Sequence, residues 1–127
     1  MTIEALAFIN DTLNDAGIEY EFGQWSSNSI PSSYFVGEFT DIESLNEDGL
    51  QETSFLITGT THDSWLELIE AKEKIEELFP SGSGKIVMLD NGSSLAIYFG
   101  TAIVVPTDTM ELKRIQINLT IKEWKVK

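Results

Sequence analysis

The fold of this chain is decided by residues 112–124, which read LKRIQINLTIKEW. Apolar and polar residues alternate along this stretch, and strict alternation is typical of a β-strand with one buried face and one accessible face. At about 3.3 Å per residue the strand would be roughly 40 Å long, whereas the usual strand has about 5–6 residues. We therefore predict that it is the central strand of a sheet whose apolar face is covered by helices. The residues of that apolar face are Ile115, Ile117, Leu119 and Ile121.

Two segments have the periodicity of amphipathic helices. The first has apolar residues spaced three and four apart, with Thr2 as its N-cap and Gly17 as its stop. The second ends at Pro80 and begins with Ser64 and Glu67 in a capping-box pattern. Each has a single apolar stripe, so we expect both helices to pack on the same face of the sheet.

The remaining apolar segments predict short strands, because they alternate or are rich in aromatic and β-branched residues. Asn91 and Gly92 lie between two of these segments and are a strong hairpin signal. The resulting order is αβββαββββ, which predicts a single α+β domain over residues 1–127 with a mostly antiparallel sheet and a long C-terminal strand. Before that last strand, the predicted strands are residues 18–22, 34–39, 51–61, 85–89, 94–99 and 102–105.

Charge is the strongest compositional signal. The chain has 21 acidic and 8 basic residues, a net charge of −13, and such a surface repels the nucleic-acid backbone. We therefore expect no sequence-specific nucleic-acid binding. Residues 1–70 contain fourteen acids and no Lys or Arg, whereas residues 113–127 contain five bases and one acid. Either the basic end pairs with the acidic half inside one fold, or the two surfaces meet between neighbouring subunits.

Composition also restricts the setting in which the protein works. The chain has no cysteine, so it forms neither disulfides nor thiolate metal sites. Its N-terminal segment has no basic region followed by a long apolar run, and no segment has the length and hydrophobicity of a membrane span. We expect a cytoplasmic protein that does not associate with membranes.

No motif in the chain predicts catalysis or cofactor binding. Residues 81–85 (SGSGK) lack the first Gly of a phosphate loop and the Ser or Thr after its Lys, and they follow a helix instead of a strand. His62 stands beside Asp63, but the chain offers no cysteine and no serine in a nucleophile-elbow pattern. The acidic residues 41–49 break the ligand alternation of a calcium loop, which leaves open a weak cation site or a solvated loop. We expect neither enzyme activity nor a cofactor.

Several segments together resemble a known family. A helix over residues 3–16 leads into a strand that ends near Trp25, and Pro31 precedes a second strand. Residues 48–60 precede a Glu-rich helix, and residues 119–124 close the chain. In this order the chain resembles the tail-terminator, or tail-completion, proteins of long-tailed phages, often described as minor capsid or minor tail proteins.

The resemblance implies a structural, non-enzymatic protein that forms a ring of identical subunits, usually a hexamer, on the head-proximal end of the tail tube. Its partners would be further copies of itself, the tail-tube protein and the head-completion protein. It would be found in the host cytoplasm during assembly and then in the virion, at the head–tail junction. The alternative is a small acidic immunity or inhibitor protein that covers a basic partner, such as a nuclease, by electrostatic complementarity.

A ring requires a patch on one subunit to meet a different patch on the next. We expect the polar side of the long strand, or the hairpin of residues 85–99, to meet acidic residues of the neighbouring copy. Aromatic residues near loops are also typical of interfaces. The candidate interface residues are Arg114, Gln116, Asn118, Thr120 and Lys122 on the strand, the acidic Glu38, Asp41 and Glu43, and the aromatic Trp25, Tyr98 and Phe99.

Overall fold

The protein, described by a computed structural model over residues 1–42 and 49–125, has two helices and one six-stranded sheet. The helices are α1 (Ile3–Asp15) and α2 (Trp65–Leu78). The strands are β1 (Tyr20–Phe22), β2 (Ser33–Ile42), β3 (Leu50–Thr61), β4 (Lys85–Met88), β5 (Ser94–Val105) and β6 (Lys113–Trp124). Their order in the sheet is β1-β2-β3-β6-β5-β4. The predicted α+β class is confirmed.

The long alternating strand, β6, lies in the middle of the sheet, as its pattern predicts. It pairs antiparallel with β3 along its whole length and with β5 on its other side. The parallel pair β1–β2 is the exception in an otherwise antiparallel sheet. We call the side of the sheet that carries the buried Ile117 and Leu119 the inner face, and the opposite side the outer face.

Both helices pack on the inner face, which confirms the prediction from their single apolar stripes. α1 buries Ile9 and Leu13, and α2 buries Leu68 and Ile75. These side chains belong to one hydrophobic core with the apolar residues of the inner face. One sheet and one helical layer therefore enclose the core, and no described helix or strand covers the outer face.

Two of the predicted strands are joined in the structure. Residues 94–99 and 102–105 form the single strand β5, with a β-bulge between Phe99 and Thr101. Gly100 occupies the bulge, where an added Cβ would lie 2.8 Å from the backbone oxygen of Asn118. The glycine therefore marks a close approach of two backbones and not the end of a strand. β2 likewise continues beyond its predicted end to Ile42.

The two helix starts differ from each other. Thr2 caps α1, since its hydroxyl accepts a hydrogen bond of 3.2 Å from a backbone N–H in the first turn. The capping box predicted for α2 is wrong, because the Ser64 side chain makes no cap hydrogen bond. The Glu67 carboxylate instead accepts hydrogen bonds from the hydroxyls of Ser33 and Thr61. A contact between distant segments thus replaces the local one, and it ties α2 to β2 and β3.

Candidate assembly interface

The five candidate residues of β6 lie one after another along the strand, all on the outer face. Because directly paired residues of neighbouring strands share a face, Leu56 of β3 lies beside these residues on one side and Tyr98 of β5 on the other. Val36 of β2 lies beyond β3 on the same face. All five side chains are half-buried by their neighbours. The outer face is therefore a mixed apolar and polar surface that these side chains share. The five are Arg114, Gln116, Asn118, Thr120 and Lys122.

Some of these five side chains make hydrogen bonds within the sheet. The Asn118 amide nitrogen lies 3.1 Å from the hydroxyl oxygen of Ser54, to which it donates. The Arg114 Nε donates to the Thr60 hydroxyl at 3.4 Å. Lys122 is paired across the strands with Glu52. Some of the basic charge of the C-terminal strand thus faces acidic charge from the first half of the same chain.

The two predicted acidic partners that the structure describes do not form one patch. Glu38 is exposed on the outer face of β2, paired with Leu56 of β3. Asp41 lies on the inner side, where its carboxylate accepts hydrogen bonds from the amino group of Met1 at 2.6 Å and from the Thr53 hydroxyl at 2.7 Å. Burial works to raise the pKa of Asp41, but these two hydrogen bonds and nearby positive charge hold it below its usual value. The last of the three, Glu43, lies outside the described residues.

The aromatic candidates also have different surroundings. Trp25 packs against Tyr34 with ring centroids 5.5 Å apart, and it is half-buried beyond the end of β1. Tyr98 is half-buried on the outer face. The prediction that Phe99 lies at an interface is wrong, because it is 7% exposed and belongs to the core. The alternation of β5 carries its side chain to the inner face, together with Leu95 and Ile97.

A feature that the sequence interpretation missed is that both edges of the sheet are stepped. β1 pairs only with residues 35–37 of β2, so no described strand lies beside residues 38–42. β4 pairs only with residues 94–97 of β5, so no described strand lies beside residues 101–105. We call β1 with residues 38–42 the β2 edge, and β4 with residues 101–105 the β5 edge.

The two steps lie at opposite ends of the sheet. β1 is level with Ile115 of β6, because Tyr20 pairs with Phe35, Phe35 with Gly59, and Gly59 with Ile115. β4 is level with the other end of β6, where Ser94 pairs with Trp124. Each edge therefore has one protruding short strand and one recess, in opposite order along the strands.

Large apolar side chains are exposed along both edges. Seven of them lie there, and Ile86 and Met88 of β4 are each 69% exposed. Monomeric proteins usually protect open edges with charge, proline or bulges. The edges also differ in charge: the β2 edge contains Glu21, Glu38 and Asp41, the last ion-paired with the Met1 amino group, whereas Lys85 is the charged residue of the β5 edge. The seven apolar residues are Phe22, Phe39 and Ile42 on the β2 edge, and Ile86, Met88, Ile103 and Val104 on the β5 edge.

The described residues include no cluster of metal-ligating side chains. Across residues 1–42 and 49–125, no group of three or more His, Asp or Glu is placed to hold a metal ion. The backbone N–H of His62 donates to the Ser32 carbonyl oxygen at 3.1 Å in the loop before α2. Neither described helix has the length and hydrophobicity needed to cross a membrane.

Compared with protein-family models and with curated protein sequences, the chain gives no significant match.

Proposed function

We propose that this protein is a structural ring-forming subunit of the tail-terminator kind. Copies of the chain close into a ring, usually of six, on the head-proximal end of a phage tail tube. The ring stops tube polymerisation and joins the tail to the head. The observation that carries the proposal is the pair of open, apolar and unlike edges on one sheet.

Unlike edges favour a ring because they bind in head-to-tail fashion. A patch that pairs with itself produces a closed dimer, whereas two different patches produce a ring or a filament. The β2 edge is acidic and the β5 edge carries Lys85, so contact between unlike edges joins opposite charges. Contact between two β2 edges would place like charges together, which is unfavourable across paired strands.

The net charge fits a conduit for DNA. Six copies would carry 6 × −13 = −78, and a negatively charged channel repels DNA as it passes instead of holding it. Contacts through the edges leave the outer face free. Its polar side chains, among them Gln116 and Thr120, can then hydrogen-bond to the tail-tube or head-completion protein.

Deletion of the coding sequence from the phage genome that carries it tests the proposal. Electron microscopy of the particles is expected to show tail tubes of irregular length and filled heads without tails. Supplying the wild-type chain from a plasmid is expected to restore joined particles, which controls for effects on neighbouring genes. Normal numbers of complete virions from the deletion would contradict the proposal.

A second function, the inhibitor of a basic protein, is favoured by the acidic surface of the helical layer. Glu4, Asp11 and Asp15 of α1 and Glu70 and Glu73 of α2 are all exposed, and such a surface suits a basic partner. An inhibitor of this kind stays monomeric or dimeric at every concentration and forms a complex of fixed composition with its target. Solution mass over a concentration series, with and without magnesium, therefore separates the two functions.

A further inference from the structure

We infer that neighbouring copies join by continuing one β-sheet into the next, with the β5 edge of one copy inserted against the β2 edge of its neighbour. The inference rests on the proposed ring and specifies which strands form its contacts. β5 of one copy lies beside β1 of the next, and β4 of the first copy lies beside β2 of the next. The occupant of each open edge is thus a second copy of this chain.

The steps at the two edges are complementary in shape. When two copies stand side by side in the same orientation, the protruding β1 of one faces the recess beside residues 101–105 of the other. The protruding β4 in turn faces the recess beside residues 38–42. By the paired residues, β1 lies level with residues 102–104, whereas β4 overlaps the β2 recess through Lys85 and Ile86.

The strand directions are compatible with this junction. β1 and β2 are parallel, and the antiparallel pairs place β4 and β6 in the same direction as β2, with β3 and β5 opposed. Between two copies in the same orientation, β5 and β1 are therefore antiparallel, and β4 and β2 are parallel. Both arrangements allow a regular hydrogen-bonding ladder, and the antiparallel one is slightly more stable per residue.

The paired rows of the sheet predict the residues that meet at the junction. Lys85 lies in the same row as Asp41 through the pairs Lys85↔Ile97, Ile97↔Ile121, Ile121↔Thr53 and Thr53↔Asp41. If neighbouring copies are not shifted along the strand direction, Lys85 of one therefore faces Asp41 of the next. The adjacent row brings Ile86 opposite Ile42 on the outer face. Lys85 would thus join the ion pair that Asp41 makes with the Met1 amino group, and an apolar pair lies directly beside it.

The second contact of the junction, between β5 of one copy and β1 of the next, is apolar on the inner face. By the same rows, Val104 faces Tyr20 of the neighbour, and Ala102 faces Phe22. Val104 and Phe22 are exposed in the single copy, and this contact would cover both. Burial of apolar side chains is the main favourable contribution to such association.

Junctions between like edges are less favourable. Two β2 edges would bring Glu21, Glu38 and Asp41 towards the same three acids of the partner. Two β5 edges related by a two-fold axis would pair β5 with β4 of the other copy in parallel, without an opposite charge for Lys85. The head-to-tail junction has one antiparallel and one parallel pair, and it places Lys85 beside an acidic residue.

Single cysteines test the junction, because the natural chain has none. Ile86→Cys and Ile42→Cys variants are mixed under mild oxidation at a concentration where the wild type assembles, with one variant carrying a mass label. Neighbouring strands lie about 4.7–4.9 Å apart, which is within the range of about 4.4–6.8 Å between the Cα atoms of a disulfide. We expect disulfide-linked pairs that contain one copy of each variant, and none in either variant alone.

A matched control uses Leu66 of α2, which is 68% exposed and belongs to neither edge. Leu66→Cys mixed with Ile42→Cys is expected to give no disulfide. Without oxidation, Ile86→Lys is expected to raise the assembly midpoint concentration by about tenfold or more. Leu66→Lys is expected to change it by less than about twofold, since single exposed substitutions outside an interface have little effect.

The possible outcomes separate this inference from the proposed function. An oligomer that forms normally without the mixed disulfide, and tolerates Ile86→Lys, would overturn the sheet junction while the ring stands. Disulfides within a single variant would show that like edges meet, which also overturns it. A wild-type chain that stays monomeric at every concentration would overturn the ring and the junction together.

Discussion

The ring of Phe22 stacks on the ring of Phe39, with centroids 5.8 Å apart and an interplanar angle of 28°. Phe22 also contacts Phe55 of β3, at a centroid distance of 6.2 Å. Phe39 lies in the part of β2 that β1 does not reach, so the stacked pair anchors a strand of only three residues. Both rings remain partly exposed at the β2 edge. The same pair thus stabilises the edge and offers apolar surface to a neighbour.

A double-mutant cycle on this pair measures its contribution to folding. We expect Phe22→Ala and Phe39→Ala to destabilise the monomer with a coupling free energy of about 0.5–1.5 kcal/mol, typical of aromatic pairs. Urea unfolding of the wild type, the two single variants and the double variant provides the four free energies. Strictly additive losses would mean that the stacking contributes nothing beyond burial of each ring.

A second pair of residues explains a glycine near the end of β3. Gly59 is paired with Phe35, and an added Cβ at Gly59 would lie 2.2 Å from an atom of the Phe35 ring. We expect Gly59→Ala to lower the free energy of unfolding by about 1–3 kcal/mol, because the buried ring must move. Gly82→Ala is the matched control, since an added Cβ there meets nothing within 4 Å. Equal stability of the two variants in urea would contradict the tight contact.

Tyr20 has a buried hydroxyl oxygen that finds no hydrogen-bond partner among the described residues. Removing an unsatisfied buried polar group is usually neutral or stabilising, so Tyr20→Phe is expected to keep or raise the melting temperature. Tyr34→Phe, at a half-buried tyrosine, serves as the control for general effects of the substitution. A clear loss of stability in Tyr20→Phe alone would show that the hydroxyl has a partner.

The same residue predicts a pH dependence. Burial raises the pKa of Tyr20 above its ordinary value of 10.0. A group with a raised pKa in the folded state contributes full stability below its unfolded pKa and loses it at higher pH, as the unfolded chain ionises first. The wild type is therefore expected to lose stability relative to Tyr20→Phe above about pH 10. Below that pH, the melting temperatures of the two proteins are expected to change equally with pH. Thermal melts across pH 8–11 make the comparison, and parallel curves throughout would contradict it.

The fold was largely predictable because its elements are specified by local patterns. The alternation of residues 112–124 identifies β6 and its buried side, and the single stripes of the two helices place both on one face. The position of Phe99 was also available from the sequence, since Leu95, Ile97 and Phe99 alternate. The neighbouring Gly100 suggested a strand end instead, and the bulge that accommodates it depends on the backbone of β6.

The edges could not be predicted, since they depend on contacts between distant segments. Nothing local shows that β1 pairs parallel to β2 over three residues, or that β4 is only four residues long. The same applies to Glu67, whose capping-box position is real in the sequence but whose carboxylate is taken by Ser33 and Thr61. Short-range patterns specify elements, whereas register and edge length follow from tertiary packing.

Charge reversal on the outer face tests the role that the sequence suggests for β6. Arg114 and Lys122 lie in the middle of the sheet, away from both edges, so Arg114→Glu with Lys122→Glu is expected to leave the assembly midpoint within about twofold at low salt. A small loss of monomer stability, of about 1 kcal/mol or less, is expected because the carboxylate that replaces the Lys122 ammonium would oppose Glu52.

Light scattering at several salt concentrations measures the assembly of this double variant. Assembly that fails at low salt and recovers as salt is raised would point to a different contact. In that case the outer face itself meets acidic residues of the neighbouring copy, and the edges do not carry the ring.

The central claim is that copies of this chain close into a ring through two unlike edges. Its most direct measurement is native mass spectrometry of the purified 14.2 kDa chain over a concentration series, combined with electron microscopy of the largest species. We predict a single closed ring of fixed copy number, six by resemblance, that appears with increasing concentration. Monomers and dimers alone at every concentration, or open filaments of unlimited length, would contradict it.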